Sequence, residues 1–109
     1  MAITFKLKTK ANVGVTTVGI YTAPASTTTV VIGITLANTS GSGVNVGVGV
    51  TRAGTTEDVK LLKNAPIPQG SSLEFMAGNK IVLEATDTVT VDSDTNNSVD
   101  AALTIMEIT

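Results

Sequence analysis

The fold class is decided by residues 44–51, which read Val44-Asn45-Val46-Gly47-Val48-Gly49-Val50-Thr51. The four valines alternate with small or polar residues, and a period of two is that of a β-strand with one buried face. Valine also fits a pleated sheet better than a helix. Gly47 and Gly49 form a notch on the opposite face. We interpret the notch as a bulge or twist site, with close approach of a large side chain or another subunit as the alternative.

The same period of two runs through most of the chain on both sides of this segment. The predicted strands are residues 3–8, 15–21, 28–37, 44–51, 59–62, 73–76, 80–85, 88–92 and 98–108. Turn-forming residues separate them at intervals of about 8 to 12 residues, as in antiparallel sandwiches. Only residues 56–62 hint at a helical turn. The sequence therefore predicts an all-β protein, an antiparallel β-sandwich of Ig-like or jelly-roll-like type with about eight to nine short strands.

Several strand faces and connections are predicted in more detail. In the first strand Ile3, Phe5 and Leu7 alternate with polar residues, so we expect them on a buried face. Residues 73–76 and 80–85 are predicted to form a hairpin around residues 77–79. The strand at residues 28–37 is predicted to place four side chains on one face: Val30, Ile32, Ile34 and Leu36. Alternation likewise predicts buried side chains in residues 88–92 and 98–108, namely Val89, Val91, Val99, Ala101, Leu103 and Ile105. Residues 65–70 contain two prolines and are predicted to form a stiff connection.

Length and composition predict one domain with an aliphatic core. The 109 residues have the size of one domain, which we assign to residues 1–109. Hydrophobic residues make up 42% but aromatic residues only 3%, so valine, isoleucine and leucine must fill the core. We expect a soluble protein, because no secretion signal and no run of about 20 apolar residues is visible.

The sequence lacks the residues that most enzyme chemistry requires. It contains no histidine and no cysteine, which excludes Ser-His-Asp and Cys-His nucleophilic sites and zinc sites built on sulfur. We predict no catalytic residue, no cofactor and no metal. Residues 92–96 (Asp-Ser-Asp-Thr-Asn) resemble the start of a calcium loop, but Asn97 and Leu103 replace the required glycine and glutamate. The glycines of residues 40–43 lack the third glycine of a nucleotide-binding loop.

Charge is distributed unevenly along the chain. Residues 1–63 contain six basic and two acidic side chains, whereas residues 64–109 contain one basic and seven acidic side chains. Neighbouring strands that pair their charges explain this division, and head-to-tail contact between copies is the alternative. Lys6, Lys8 and Lys10 share one strand face. Without interleaved aromatic residues they indicate a solvated face or a protected strand edge, and we expect no nucleic-acid partner.

An ordered set of segments resembles small β-sandwich structural proteins of tailed bacteriophage virions. The segments are residues 21–25 (Tyr-Thr-Ala-Pro-Ala), 34–40 (Ile-Thr-Leu-Ala-Asn-Thr-Ser), 68–74 (Pro-Gln-Gly-Ser-Ser-Leu-Glu), 81–89 (Ile-Val-Leu-Glu-Ala-Thr-Asp-Thr-Val), 98–100 (Ser-Val-Asp) and 106–108 (Met-Glu-Ile). The resemblance covers about residues 19–109 and consists of turn and strand patterns. Thr86 stands where these proteins usually have glycine.

The resemblance implies a virion protein, assembled in the host cytoplasm, with the major capsid protein or other virion proteins as partners. We expect a capsid decoration (cement) protein that binds the outer capsid surface in many copies. We also expect a homo-oligomer, for which a trimer is one possibility. Residues 1–10 lie outside the resemblance, and we predict that they form a strand or arm that docks on a neighbour.

Three other functions are compatible with parts of the sequence. A tail, neck or fibre-associated virion subunit, including one that adheres to the host surface, is the main alternative. A carbohydrate-binding module would be expected to expose Trp or Tyr platforms, but the chain has no Trp and one Tyr. An enzyme or toxin would need a site built without His or Cys.

Overall fold

The chain folds into two antiparallel β-sheets that pack against each other, which confirms the predicted β-sandwich. A computed structural model describes residues 2–75 and 80–109, and these residues contain no helix. The strands of the described residues are β1 (Ile3–Val13), β2 (Val18–Thr22), β3 (Thr28–Asn38), β4 (Val44–Arg52), β5 (Glu57–Ile67), β6 (Ser72–Phe75), β7 (Ile81–Leu83), β8 (Thr88–Ser93) and β9 (Val99–Ile108).

The two sheets draw their strands from both ends of the chain. The first sheet has the order β1-β9-β3-β6, and β7 also pairs with β3. The second sheet has the order β2-β8-β4-β5. The long strand β9 therefore lies between β1 and β3, and β8 lies between β2 and β4. The longest-range pairing of each sheet joins an edge strand to its neighbour, β1 to β9 in the first sheet and β2 to β8 in the second.

The core between the sheets is aliphatic, as the composition predicted. Every second residue of the central strands points inward, so period two and burial coincide. The predicted inward residues of β4, β8 and β9 are buried, which confirms those three faces: Val44, Val46, Val48, Val50, Val89, Val91, Val99, Ala101, Leu103 and Ile105. Among the described side chains, Tyr21 is the one aromatic residue of the core.

The predicted face of β3 is half wrong because the strand contains a bulge. Ile34 and Leu36 are buried as expected, but Val30 is only half-buried. The register with β9 shifts between Val31 and Gly33, and an extra residue in one strand reverses which side chains face the core. Val31 therefore takes the inward position, and Val30 turns to the outer side of the sheet.

Two predicted connections also differ from the structure. The strand predicted at residues 59–62 extends over Glu57–Ile67 as β5 and includes Pro66, since an edge strand tolerates a missing backbone donor. The helical hint at residues 56–62 is therefore wrong. The connection predicted at residues 65–70 is wrong for residues 65–67, which end β5, and right for residues 68–70, which lead from β5 to β6. The predicted hairpin is also wrong, because β6 and β7 pair in succession with the same strand β3. Its turn at residues 77–79 lies outside the described residues.

Candidate interaction surface

The apolar side of β1 points outward, and the prediction that it is buried is wrong. Ile3, Phe5 and Leu7 are 55%, 67% and 65% exposed. β1 is the edge of the first sheet and pairs only with β9 among the described strands. Lys6 lies opposite the buried Ile105, so the lysines share the side of the strand that faces the core, at the open margin of the sandwich. From there their long stems reach solvent.

An apolar row crosses the outer face of the first sheet. Phe5 lies opposite Met106, Met106 lies opposite Val30, and Val30 lies opposite Val82. Directly opposed residues of antiparallel strands project from the same face, so these four side chains form one line across β1, β9, β3 and β7. Val82 is 59% exposed. We call this line the apolar row.

Two further pairs broaden the apolar row along the strands. Ile3 lies opposite Ile108 on one side, and Leu7 lies opposite Thr104 on the other. Thr104 in turn lies opposite Gly33, where a Cβ atom would meet nothing within 4 Å. The apolar row is therefore bordered, in the middle of the sheet, by Gly33, which has no side chain and leaves space above the sheet. Contiguous exposed apolar surface of this kind is typical of interaction sites.

The other half of the same face carries small side chains around a shallow groove. Ala102 lies at its centre, opposite Thr9 on one side and Thr35 on the other. The groove has a volume of about 300 Å³, and Lys10 and Asp100 also line it. We call it the alanine groove. The outer face thus has one half with large apolar side chains and one half with a depression of small ones.

A buried polar cluster ties the two sheets together beneath the apolar row. The Tyr21 hydroxyl of β2 donates to Glu107 Oε2 of β9 at 2.6 Å and lies 2.8 Å from Thr29 Oγ1 of β3. Lys6 Nζ lies 2.8 Å from Glu107 Oε1. Because both oxygens of the Glu107 carboxylate have partners, the carboxylate can be buried without an unpaired charge.

The pKa values of this cluster follow from its contacts. Burial, and then the hydrogen bond to Glu107, raise the pKa of Tyr21 to about 12. The hydrogen bonds from Lys6 and then Tyr21 lower the pKa of Glu107 below its ordinary value, against the effect of burial. The cluster is held as a neutral phenol beside a charged carboxylate. This arrangement suits a structural tie between strands better than a proton-transfer site, since neither pKa lies near neutrality.

The notch at Gly47 and Gly49 is filled by neighbouring strands of the same sheet. A Cβ atom on Gly47 would lie 2.6 Å from Asp92 Oδ1, and one on Gly49 would lie 2.8 Å from the Val59 carbonyl oxygen. The β4–β5 register shifts on both sides of Val48, so bulges press the β5 backbone onto the glycine face. The interpretation as a bulge site is confirmed, and the notch is no docking site for another subunit.

A polar groove of about 450 Å³ lies at one end of the sandwich, lined by Arg52 and Asp87 among others. Arg52 Nε lies 3.0 Å from Asp87 Oδ2, and Arg52 also pairs with Glu84. The Asp87 carboxylate accepts from the backbone N–H groups of Ala53 and Glu84 at 3.3 and 3.0 Å. These contacts occupy the charged groups in joining two loops, and sequence reasoning did not single out this corner.

The acidic turn at residues 92–96 uses its carboxylates within the fold. Asp92 accepts from the Thr17 hydroxyl at 2.8 Å, and Asp94 accepts from the Asn45 backbone N–H at 3.1 Å. In the part of the chain that the structure describes, no group of three or more acidic, His or Cys residues is placed to hold a metal ion. Hydrogen bonds to neighbouring segments of the fold thus account for the two carboxylates of this turn.

The ion pairs join the two oppositely charged parts of the sequence. The described residues form the pairs Lys6–Glu107, Arg52–Glu84, Arg52–Asp87 and Lys60–Asp92. In each of them the basic residue comes from residues 1–63 and the acidic residue from residues 64–109. Ion pairs within the chain thus engage three of the six basic side chains of residues 1–63, and one of these pairs, Lys6–Glu107, joins neighbouring strands. Head-to-tail contact between copies stays a prediction.

Residues 1–10 are predicted to dock on a neighbour, and the structure places most of them in β1. The strand is paired with β9 from Ile3, opposite Ile108, to Lys10, opposite Ala101. Its outward side chains belong to the apolar row and the alanine groove. The sequence signal for this face was present, because Ala102, Met106 and Ile108 are apolar at positions between the predicted core residues of β9.

Comparisons with known proteins match the fold but no family. No protein-family model and no curated protein sequence matches this chain. Among solved structures, a chain of the endospore appendages of Bacillus, a family of disulfide-linked pili, matches with a TM-score of 0.56 and 18% identity, over 98% of this chain and 88% of that chain. The 109 residues contain no cysteine, so they cannot form disulfide links of that kind.

Two chains from infectious bursal disease virus also match. One belongs to the T13 particle of this icosahedral virus, with a TM-score of 0.56 and 12% identity over 96% of this chain and 30% of that chain. The other belongs to the Gx strain, with a TM-score of 0.53 and 11% identity over 96% of this chain and 36% of that chain. At these identities the likeness shows a shared β-sandwich fold. No helix in the described part of this chain is long and apolar enough to cross a membrane.

Proposed function

We propose that this chain is a structural protein of a bacteriophage virion, a capsid decoration (cement) protein that binds the outer capsid surface in many copies. The observation that carries the proposal is the outer face of the first sheet, where Phe5, Leu7 and Val82 are each more than half exposed. A protein whose function is assembly needs such a surface, and contiguous exposed apolar side chains are characteristic of binding interfaces. The major capsid protein is the proposed partner and the virion the proposed location.

The chemistry of the chain supports an assembly role without catalysis. The sequence has neither His nor Cys, and the carboxylates of Asp87, Asp92 and Glu107 are engaged in ion pairs or hydrogen bonds that connect strands and loops. An enzyme would need a nucleophile or general base held free at a concave site. The resemblance of residues 19–109 to tailed-phage virion proteins and the fold shared with chains of viral particles are consistent with the same role.

A tail, neck or fibre-associated subunit is the second candidate, and one observation favours it. The match to the pilus-forming endospore appendage covers most of both chains, so a sandwich of this size and fold occurs as the repeating unit of a filament. Fold likeness alone does not decide between the two candidates.

The test is the copy number of this protein in purified virions, measured by quantitative mass spectrometry against the major capsid protein. A decoration protein is expected at an abundance comparable to that of the major capsid protein. A few copies per particle would favour the tail, neck or fibre candidate, and complete absence from virions would contradict both.

A second experiment connects the function to the outer face. Capsids that lack the protein are mixed with wild-type protein, with Phe5→Lys or with the matched variant Val59→Lys, which changes an exposed apolar residue of the second sheet. We expect Phe5→Lys to lose most capsid binding and Val59→Lys to keep it. Equal binding by all three proteins would show that the outer face is not the capsid contact.

A further inference from the structure

The outer face of the first sheet has two halves with complementary shapes. The apolar row projects from one half, and the alanine groove indents the other. We infer that this face is a self-complementary interface on which a second copy of this chain docks, with the apolar row of each copy in the alanine groove of the other. The inference goes beyond the proposed function and does not depend on the virion assignment; on a virion, the capsid surface and a second copy compete for this one face.

The spacing along β9 suits a two-fold axis. Met106 of the apolar row and Ala102 of the alanine groove lie four residues apart on the same face of β9, or about 13 Å at the usual rise of a strand. Thr104 lies midway between them. A two-fold axis over Thr104, running across the strands, exchanges the two halves, as an isologous interface requires. Each Met106 then faces the Ala102 of the partner copy.

The middle of the face leaves room for this approach. Thr104 is exposed, and its cross-strand neighbour Gly33 has open space above it. Two sheets that pack face to face lie about 10 Å apart, so side chains near the axis must be short. Among the described side chains, the largest beside the axis is Leu7, at the β1 margin of the face, where it would contact the margin of the other copy.

The area of the face is sufficient for a specific dimer. Ten residues along each of β1, β9 and β3, together with the seven residues of β6 and β7, give a surface of about 600 Å². Two such faces in contact bury about 1,200 Å² in total, at the lower end of the range of about 1,200 to 2,000 Å² of stable protein interfaces. We therefore expect a dimer in solution.

The free edge of β1 is a poorer site for a second copy than the face. Antiparallel pairing of two β1 strands centred on Lys8 would place Lys6 of one copy opposite Lys10 of the other, with all six lysines on one side of the joined sheet. Like charges directly opposite each other destabilise a strand pair, and lysines on an edge oppose this kind of association. Packing through the outer face avoids this repulsion, because Lys6 and Lys8 lie on its other side and Lys10 lines the alanine groove together with the oppositely charged Asp100.

The first test is sedimentation velocity of wild-type protein and four variants over a range of concentrations. Phe5→Lys alters the apolar row and Ala102→Lys fills the alanine groove. Val59→Lys and Ala53→Lys are the matched controls, since both residues are exposed and neither belongs to the outer face. We expect a wild-type dimer whose Kd rises by about tenfold or more in each face variant, as for substitutions at the centre of an interface, and hardly changes in the controls.

A cross-linking test measures the position of the axis. Because the sequence has no cysteine, Thr104→Cys introduces a unique thiol beside the proposed axis, and Thr55→Cys introduces one in an exposed turn far from it. Sheets about 10 Å apart are too distant for a direct disulfide, so a short bis-maleimide reagent is used. We expect efficient dimer cross-linking of Thr104→Cys and little of Thr55→Cys.

Three results would overturn the inference. These are a wild-type monomer at all concentrations, a dimer that neither Phe5→Lys nor Ala102→Lys weakens, and equal cross-linking of the two cysteine variants. Circular dichroism and thermal unfolding establish that each variant is folded. A monomer that binds capsids through Phe5 would assign the face to the capsid and reject self-docking. This outcome differs from a failure of the virion proposal, which the copy number in virions decides.

Discussion

Tyr21 illustrates how one residue reports on the contact between the sheets. It is the only tyrosine of the chain, which also lacks tryptophan. Its hydroxyl touches Thr29 and Glu107, and both belong to the opposite sheet. The ultraviolet absorbance of its ionised form is therefore an unambiguous probe of the polar cluster.

We expect Tyr21 to ionise with a pKa of about 12 in the folded protein. Spectrophotometric titration measures this value. Since burial is the largest cause of the shift and the hydrogen bond to Glu107 the next, Glu107→Gln should lower the pKa while leaving it above 10.0. A wild-type pKa at the ordinary value of 10.0 would contradict the buried position of the hydroxyl.

The same pKa shifts predict how stability depends on pH. A raised Tyr21 pKa favours the folded state below pH 10.0, and this contribution disappears as the pH rises from 10.0 to about 12. The lowered Glu107 pKa has the opposite sign. Its contribution is present above the ordinary value of 4.5 and is lost as the pH falls through the lower folded-state pKa. Urea unfolding across pH measures both limbs, and Tyr21→Phe should abolish the part of the alkaline limb that comes from Tyr21.

Gly49 and Gly47 differ in the atoms that an added side chain would contact. An added Cβ on Gly49 would collide with the Val59 backbone carbonyl, whereas one on Gly47 would collide with the end of the Asp92 side chain. A backbone atom yields less than a side chain, so Gly49→Ala should cost about 1–3 kcal/mol of unfolding free energy and Gly47→Ala less. Chemical denaturation measures the difference, with Gly33→Ala as the strand control with open space. Equal stability of Gly49→Ala and wild type would contradict the close approach of β5.

At the scale of elements, β1 and β9 show that alternation does not assign a face to an edge strand. Both strands alternate, but the apolar residues of β1 are exposed while those at alternate positions of β9 are buried. β9 lies between two strands and its inner face meets the second sheet. β1 lies at the margin, where the core ends and charged groups reach water. Its apolar side is thus available to another molecule.

Two leucines test this assignment. Leu7 of β1 is 65% exposed and Leu103 of β9 is 0% exposed. Leu103→Ala should lower the free energy of unfolding by about 2–5 kcal/mol, whereas Leu7→Ala should change it by about 0.5 kcal/mol or less. Chemical denaturation at a protein concentration low enough to keep the chain monomeric measures both. A large loss from Leu7→Ala would show that the core extends to the outer side of β1.

Some strands could be predicted from the local sequence, whereas the arrangement of others depends on the strands next to them. The alternation of residues 44–51 predicted β4 and its buried valines because period two is a property of a single strand. The bulge in β3 and the pairing of β6 and β7 with β3 were not predicted. Each depends on the register between distant segments, which a local pattern does not contain.

At the scale of the whole molecule, the sandwich joins the two ends of the described chain. Ile3 lies opposite Ile108, and Ala2 and Thr109 exchange two backbone hydrogen bonds of 3.0 and 2.9 Å. The first sheet is therefore completed by contacts between residues far apart in the sequence, and the pairing of β2 with β8 does the same for the second sheet. Closing such long loops precedes the gain from the contacts and slows folding.

We expect refolding on the millisecond-to-second timescale typical of all-β sandwiches. Stopped-flow dilution from denaturant, followed by the fluorescence of Tyr21, measures the rate. Refolding within microseconds would contradict a fold whose first sheet requires β1, β3 and β9 to meet. Leu103→Ala serves as a companion variant, since the ratio of its effects on the folding and unfolding rates tells whether β9 is packed in the transition state.

The sequence by itself determined the all-β class, the aliphatic core and the inward residues of β4, β8 and β9, because alternation and composition are local properties. It also excluded chemistry that relies on His or Cys. Only the tertiary structure decided that Ile3, Phe5 and Leu7 face outward and join Met106, Val30 and Val82 in one row. The physical reason is that an apolar strand face needs a cover, and only the arrangement of the neighbouring strands shows whether the same chain supplies it.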